Sequence, residues 1–340
     1  MKTSILIIYT GGTIGMVKDP ENGSLKPFDF DHILKQVPEL NDFGFDLTTF
    51  SFDPLIDSSN LNPEVWVKIA NMIKENYEKF DGFVVLHGTD TMSYTASALS
   101  FMLDNLDKPV VLTGSQLPIG MLRTDGKENL ITAVEIAADY KDGKAVVPEV
   151  SVLFENRLFR GNRTTKHNAE YFNAFYSYNY PDLAKVGINI HYNEASIQKA
   201  SGKPFAINTN LDVNIAILKI FPGINKRTVD AILNIEGLKA VVIETYGAGN
   251  APTDTWFVDS IKDAINRGTI VYNVTQCPSG SVDMGLYETS VELRNIGVVS
   301  GHDITTEAAI TKLMFLLGQK LDLDKVKIFL NKSIKGELCQ

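Results

Sequence analysis

The sequence predicts an α/β protein: a larger N-terminal domain on a doubly wound, mostly parallel sheet, then a smaller C-terminal α/β domain with its own parallel sheet. Three observations carry this. Short β-branched apolar runs alternate with amphipathic segments along the chain. The runs are apolar almost throughout, as strands buried on both faces must be. At 340 residues the chain has material for about two cores. Residues 187–212 interrupt the rhythm, being polar, without strong period, and holding Gly187, Gly202 and Pro204. The linker is set at 191–212, between a domain of residues 1–190 and one of residues 213–340.

The apolar runs predict strands at residues 5–9, 83–86, 110–113, 150–154, 213–220, 240–244 and 269–274. Between them, Asn62 before Pro63 opens a helix whose Val65, Ile69, Met72, Ile73 and Tyr77 share a face. Asp125 with Glu128 reads as a capping box ahead of Leu130, Val134 and Ala137. Residues 253–268 and 305–318 each read as a helix ending at glycine.

Composition narrows the partners. The chain has 32 Lys and Arg against 41 Asp and Glu, a formal net charge of −9, and no basic block. Such a chain lacks the cationic face that nucleic acid or an anionic membrane requires. A small-molecule partner is expected instead. After Lys2 the apolar run 5–8 is shorter than a signal-peptide core, and nothing approaches the roughly 20 apolar residues of a membrane span. Cys277 and Cys339 form neither a disulfide framework nor a metal-ligand spacing. The expected location is the reducing cytoplasm.

Polar chemistry gathers where strands end. The first strand runs into Thr10-Gly11-Gly12-Thr13-Ile14-Gly15. In parallel sheets, ligands bind outside the carboxyl ends of strands, and glycines there let the backbone approach closely. Neither the dinucleotide nor the phosphate-loop spacing is present. The turn displays two hydroxyls, Thr10 and Thr13, beside free N–H groups, a setting for a nucleophile near an oxyanion hole.

A second cluster, His87-Gly88-Thr89-Asp90-Thr91, follows the strand at 83–86. Asp90 and Thr91 would equally serve as helix caps, and His87 as a hydrogen-bonded core histidine. A third, Gly161-Asn162-Arg163-Thr164-Thr165-Lys166, is either a solvated basic loop or the source of a lysine for an Asp–Thr pair. Asp57-Ser58-Ser59-Asn60 is a cap before the Asn62 helix, or a set of donors with a carboxylate for an ammonium group. Tyr171, Phe172, Phe175, Tyr176, Tyr178 and Tyr180 read as packing rather than a base-stacking platform, because no cation lies among them.

TGGTIG at 10–15 and GFVVLHGTDTM at 82–92 resemble the two signature sequences of the bacterial asparaginase family. GNRTTK at 161–166, DSS at 57–59, TGSQLP at 113–118 and YGAGNAP at 246–252 resemble its cytoplasmic, type I branch. The resemblance implies hydrolysis of the side-chain amide of L-asparagine to L-aspartate and ammonia, without metal or cofactor. It implies Thr13 as nucleophile, with Thr89, Asp90 and Lys166 as a hydrogen-bonded relay. Substrate contacts would come from Asp57, Ser58, Ser59, Gly88, Thr89, Asp90 and Ser115. The family also implies a homotetramer, a dimer of dimers, and in some members an allosteric asparagine site. Thr165, Tyr246, Gly247, Ala248 and Cys277 match positions of that site.

Two positions depart from the family pattern. Many members carry a tyrosine in the segment after the first motif, whereas residues 19–25 here hold none and Ser24 stands near that place. Pro252 occupies a position where the secreted branch has asparagine. Three rivals share these residues: a relaxed amidase taking glutamine too, the ammonia-releasing subunit of a tRNA-dependent amidotransferase, and a non-catalytic amino-acid sensor. The amidotransferase subunits carry an added N-terminal domain, and TGGTIG at residue 10 is expected to set this chain apart from them.

Overall fold

A computed structural model describes residues 2–18, 25–27, 37–285 and 288–339. The segment 19–24, with Ser24, lies outside the described residues. The chain forms two compact units, Met1–Asn208 and Thr209–Gln340.

The first unit is built on eight strands. They are β1 (Ser4–Tyr9), β2 (Asp46–Ser51), β3 (Gly82–Leu86), β4 (Val110–Thr113), β5 (Val150–Phe154), β6 (Arg157–Arg160), β7 (Ala184–Val186) and β8 (Ile190–Tyr192). In the sheet they lie in the order β8-β7-β6-β5-β4-β3-β1-β2. From β2 through β5 every pairing is parallel, and β6, β7 and β8 add an antiparallel edge. Helices α1 (Pro63–Asn76), α2 (Met92–Met102) and α3 (Gly126–Ala137) connect the parallel strands. Ile5, Ile7, Val84, Val111 and Leu153 form one core with Leu130, Ala133, Val134 and Ala137 of α3. Leu6, Ile8, Phe83 and Val85, which point to the other face, are buried as well. Both faces are therefore covered, as the doubly wound expectation required.

The strand order reverses between β1 and β3, because the chain leaves β1 first to β2 on one side and then to β3 on the other. At such a switch point the connections diverge and leave a crevice at the strands' carboxyl ends. The threonine–glycine turn and the histidine–glycine turn flank that crevice.

The second unit holds β9 (Ile215–Lys219), β10 (Ala240–Thr245), β11 (Ile270–Thr275) and β12 (Val299–Ser300), all parallel and in sequential order. Its helices are α4 (Lys226–Leu233), α5 (Thr255–Asn266), α6 (Glu288–Asn295), α7 (Thr306–Gly318) and α8 (Leu323–Leu330). Val229 and Leu233 of α4 and Phe257 and Ile261 of α5 pack into one core with Val241, Ile243 and Val271.

Three local expectations differ. Asn62 caps α1 as read, its Oδ1 accepting from Val65 N at 3.3 Å. Asp125 makes no cap bond to α3. Its carboxylate turns away to accept from the Gln116 and Leu117 amides, at 2.9 and 3.1 Å. Thr91 likewise caps nothing by its side chain, and its hydroxyl donates to Ser58 O at 2.8 Å. Much of the segment expected as a linker belongs to the first unit. Residues 190–192 are β8, and Ala206–Ile207 pairs with Leu103–Asp104. Edge pieces this short cannot display an apolar period.

Candidate active site

Glycines assemble the site. Gly12 has φ +95°, and a Cβ on it would lie 2.5 Å from the Gly88 Cα and N. Only a residue without a side chain lets the two turns touch backbone to backbone. Gly88 in turn leaves 2.5 Å between its would-be Cβ and Ser58 Oγ. Three sequence clusters thus meet within one crevice: Thr13 after β1, Ser58 before α1, and Thr89 after β3. Thr10 N and Oγ1 both donate to Leu86 O, at 3.0 and 2.9 Å, tying the ends of β1 and β3 together. The two threonines of the first motif therefore part company. Thr10 is buried and committed to the scaffold, while Thr13, in the turn Thr13–Gly15, is half-buried.

Lys166 reaches this crevice from the antiparallel edge. After β6 the chain makes a turn at Gly161–Arg163, and Thr164 Oγ1 closes it by donating to Arg160 O at 2.7 Å. Thr165–Lys166 then pairs with Phe175–Tyr176. The turn is anchored from below: Arg160 Nε donates to Glu149 Oε2 at 2.7 Å, and the guanidinium reaches Ser196 O at 2.8 Å. Lys166 Nζ lies 2.8 Å from Thr89 Oγ1 and 2.8 Å from Asp90 Oδ1. The lysine side chain is 18% exposed and the aspartate 64%. One carboxylate oxygen is held by the ammonium, and the rest of the group faces outward.

His87 is buried and structural. Its Nε2 faces Thr95 Oγ1 at 2.8 Å, and that hydroxyl already accepts from Trp66 Nε1 at 3.0 Å. Gly88 O, 2.7 Å from Nδ1, can only accept, so Nδ1 carries the imidazole proton and donates to it, and the neutral ring's Nε2 accepts from the Thr95 hydroxyl. Burial holds His87 neutral, with its pKa pushed down to about 4. The ring braces the turn and stays out of the crevice.

Asp57 accepts from Ser59 N and Oγ at 2.9 and 2.8 Å, and these bonds hold its carboxyl below the usual range. Ser115 is buried after β4 and donates to Leu117 O at 2.6 Å. Sequence reasoning assigned nothing to Gln116. Its Nε2 donates to Tyr171 O at 3.2 Å, which leaves Oε1 to accept from Thr89 Oγ1 at 3.3 Å. The only signal was its place beside Ser115 in TGSQLP. Asp125 holds this turn by the Gln116 and Leu117 amides, and burial pushes its carboxyl upward.

Thr165 lies in the first unit beside Lys166, whereas Tyr246, Gly247, Ala248 and Cys277 lie in the second. There Tyr246 bridges to Asn250 across a tight turn, and Cys277 is exposed. Among the described residues, no group of three or more His, Cys, Asp or Glu is placed to hold a metal ion. No described helix is long and apolar enough to cross a membrane.

Comparison with known proteins decides the lineage. The Asparaginase, N-terminal family model matches residues 4–198, and the Glutaminase/Asparaginase C-terminal domain matches residues 214–330. The chain belongs to the asparaginase family. Among these asparaginases, L-asparaginase 1 of Escherichia coli K12 is 43% identical over 99% of this chain and 98% of its own length. The crystal structure of L-asparaginase I from Vibrio cholerae covers 100% of both chains with a TM-score of 0.90 at 41% identity. The thermostable L-asparaginase from Thermococcus kodakarensis, also a solved structure, has a TM-score of 0.90 at 33% identity, over 99% of this chain and 100% of its own. The asparaginase motifs at 10–15 and 82–92 are the two turns that meet at the switch point.

Proposed function

We propose that this chain hydrolyses the side-chain amide of L-asparagine to L-aspartate and ammonia, with Thr13 as nucleophile. The contact of Lys166 with both Thr89 and Asp90, beside the Gly12–Gly88 junction, carries the reading. Thr13 Oγ attacks the amide carbon, and the C–N bond breaks. The threonine proton leaves with ammonia, and a β-aspartyl ester remains. Water then cleaves the ester, giving its proton through Thr89 and Lys166, and Thr13 is restored. Backbone N–H groups beside Thr13 and at Thr89–Asp90 face the developing oxyanion.

Asp90 has a second task. Its outward oxygen accepts the substrate's α-ammonium, while Ser58, Ser59 and the Gly88–Thr89 amides take the α-carboxylate. Asp57 orients Ser59, and Ser115 lies near the departing amide. A site that pairs both α-groups rejects amides lacking either, because its own polar groups would be left unpaired. The full-length asparaginase relatives support this substrate over an amidotransferase role.

The enzyme acts in the cytoplasm as a tetramer of paired dimers. Tyr246, Gly247, Ala248 and Cys277 of the second unit belong to a regulatory asparagine site. A curve of ammonia release against asparagine tests the regulatory site: a sigmoid supports it and a hyperbola removes it. Glutamine at equal concentration is expected to react more slowly, one methylene being worth about 1–3 kcal/mol. The catalytic reading itself is tested by Lys166→Met, expected to lower kcat by 100-fold or more. An unchanged kcat would remove the relay.

A further inference from the structure

A cavity opens at the antiparallel edge of the large sheet. Arg157 of β6 lies directly opposite Lys185 of β7, and Lys185 lies directly opposite His191 of β8. Opposed residues in antiparallel strands share a face, so these three side chains form one row across three strands. Neighbouring strands stand about 4.8 Å apart, which makes the row about 10 Å long.

Like charges placed opposite one another are destabilising. The arrangement therefore favours an anion laid along it. Asp182 answers Arg157 at 3.3 Å. Among the described residues, neither Lys185 nor His191 makes an ion pair or a side-chain hydrogen bond. Both are exposed, in a chain whose net charge is −9.

The row lines a cavity of about 780 Å3 with Tyr176, Tyr178 and Tyr180. Tyr176 and Tyr178 lie 4.8 Å apart between ring centroids. The Arg157 guanidinium sits 5.6 Å from the Tyr176 ring centre, linking the aromatic wall to the cationic row. Tyr180 is fixed in place, its hydroxyl donating to Ser196 O at 2.9 Å and its ring 4.3 Å from the buried Arg160 guanidinium. Ser177, a further lining residue, is 6% exposed and its hydroxyl has no hydrogen-bond partner. The cavity thus offers two cations and an imidazole in a line, aromatic faces beside them, and a buried hydroxyl unserved by the protein.

We propose that this cavity binds a nucleoside di- or triphosphate. The phosphates would lie along Arg157, Lys185 and His191, and the base against Tyr176 and Tyr178. A 10 Å row suits two or three linked phosphates, and base–aromatic stacking needs no particular base. The sequence hid this pairing, because the tyrosines and the cations lie in different segments until the strand register joins them.

The test uses the full-length protein and a fluorescent adenosine triphosphate, with unlabelled adenosine triphosphate, tripolyphosphate and adenosine as competitors. Saturable binding of one nucleotide per chain is expected, weaker at higher salt. Adenosine triphosphate should compete best and adenosine least. Lys185→Glu, an exposed position away from Thr13, should weaken binding at least tenfold with asparagine turnover unchanged, and Lys185→Arg should restore it. Four results would overturn the proposal: no saturable binding, equal binding by Lys185→Glu, tripolyphosphate binding as tightly as the nucleotide, or a fall in oligomer mass of Lys185→Glu in sedimentation. The last would mean that a second copy covers this face.

Discussion

His87 shows how a single side chain serves the site without entering it. Its imidazole is buried and neutral, with a pKa of about 4 against an ordinary 6.5. Between those values the unfolded chain binds a proton that the folded chain refuses. Stability from this group is therefore complete above pH 6.5 and is lost as pH falls toward 4. The loss amounts to about 3 kcal/mol. Chemical denaturation of the protein and of His87→Asn, at pH 7.5 and 4.5, should show a smaller pH effect in the variant. An identical pH effect in both would mean that His87 titrates normally. The imidazole's role as a core residue was one of two readings open from the sequence. Its neighbours decide between them, since Trp66 and Thr95 complete a hydrogen-bond chain that only the fold brings together.

Among the turns, the one after β1 depends most on its residue type. Gly12→Ala would need φ +95° from a residue with a Cβ, and would drive that carbon into Gly88. The expected outcome is loss of asparaginase activity by at least 100-fold, with a lower Tm, read by ammonia release and calorimetry. Wild-type kinetics in Gly12→Ala would show that the turns need not touch.

The strands β1, β3, β4 and β5 were readable from sequence because each is an almost wholly apolar run, with Ser151 the one polar residue inside β5. β2 was not, since its Asp46-Leu-Thr-Thr-Phe-Ser is an edge strand with little to bury. The clusters bearing Thr13, Thr89 and Lys166 were visible as polar residues after strands. Gln116 was invisible, for its importance lies in a contact with Thr89 from 27 residues away. Asp125 misled for a related reason: a capping-box spacing says nothing about a turn that offers the carboxylate two better donors.

The second unit closes over an ion pair that composition could not reveal. Lys312 Nζ lies 2.6 Å from Glu337 Oε1, with both side chains fully buried. The ammonium also donates to Leu330 O and Lys332 O, at 3.1 and 2.7 Å. Glu337 accepts from the Ile334 and Lys335 amides at 3.0 and 2.7 Å. Together these bonds fasten the residues after α8 onto α7. Lys312→Met leaves a buried carboxylate without its cation and should cost about 3–5 kcal/mol in urea denaturation. A loss below about 1 kcal/mol would show that the pair is dispensable. Across the two units, the alternation of apolar runs and amphipathic segments foretold two parallel sheets. What it could not place was the boundary, because residues 190–208 add short pairings to the first unit.

The central claim is that Thr13 becomes acylated by the substrate. Rapid acid quench of the enzyme with asparagine, followed by peptide mass spectrometry, addresses it directly. The account predicts an aspartyl mass increment on the peptide containing Thr13, absent from Thr13→Ala, which should release no ammonia. An increment on Thr89 instead, or steady ammonia release by Thr13→Ala, would contradict it.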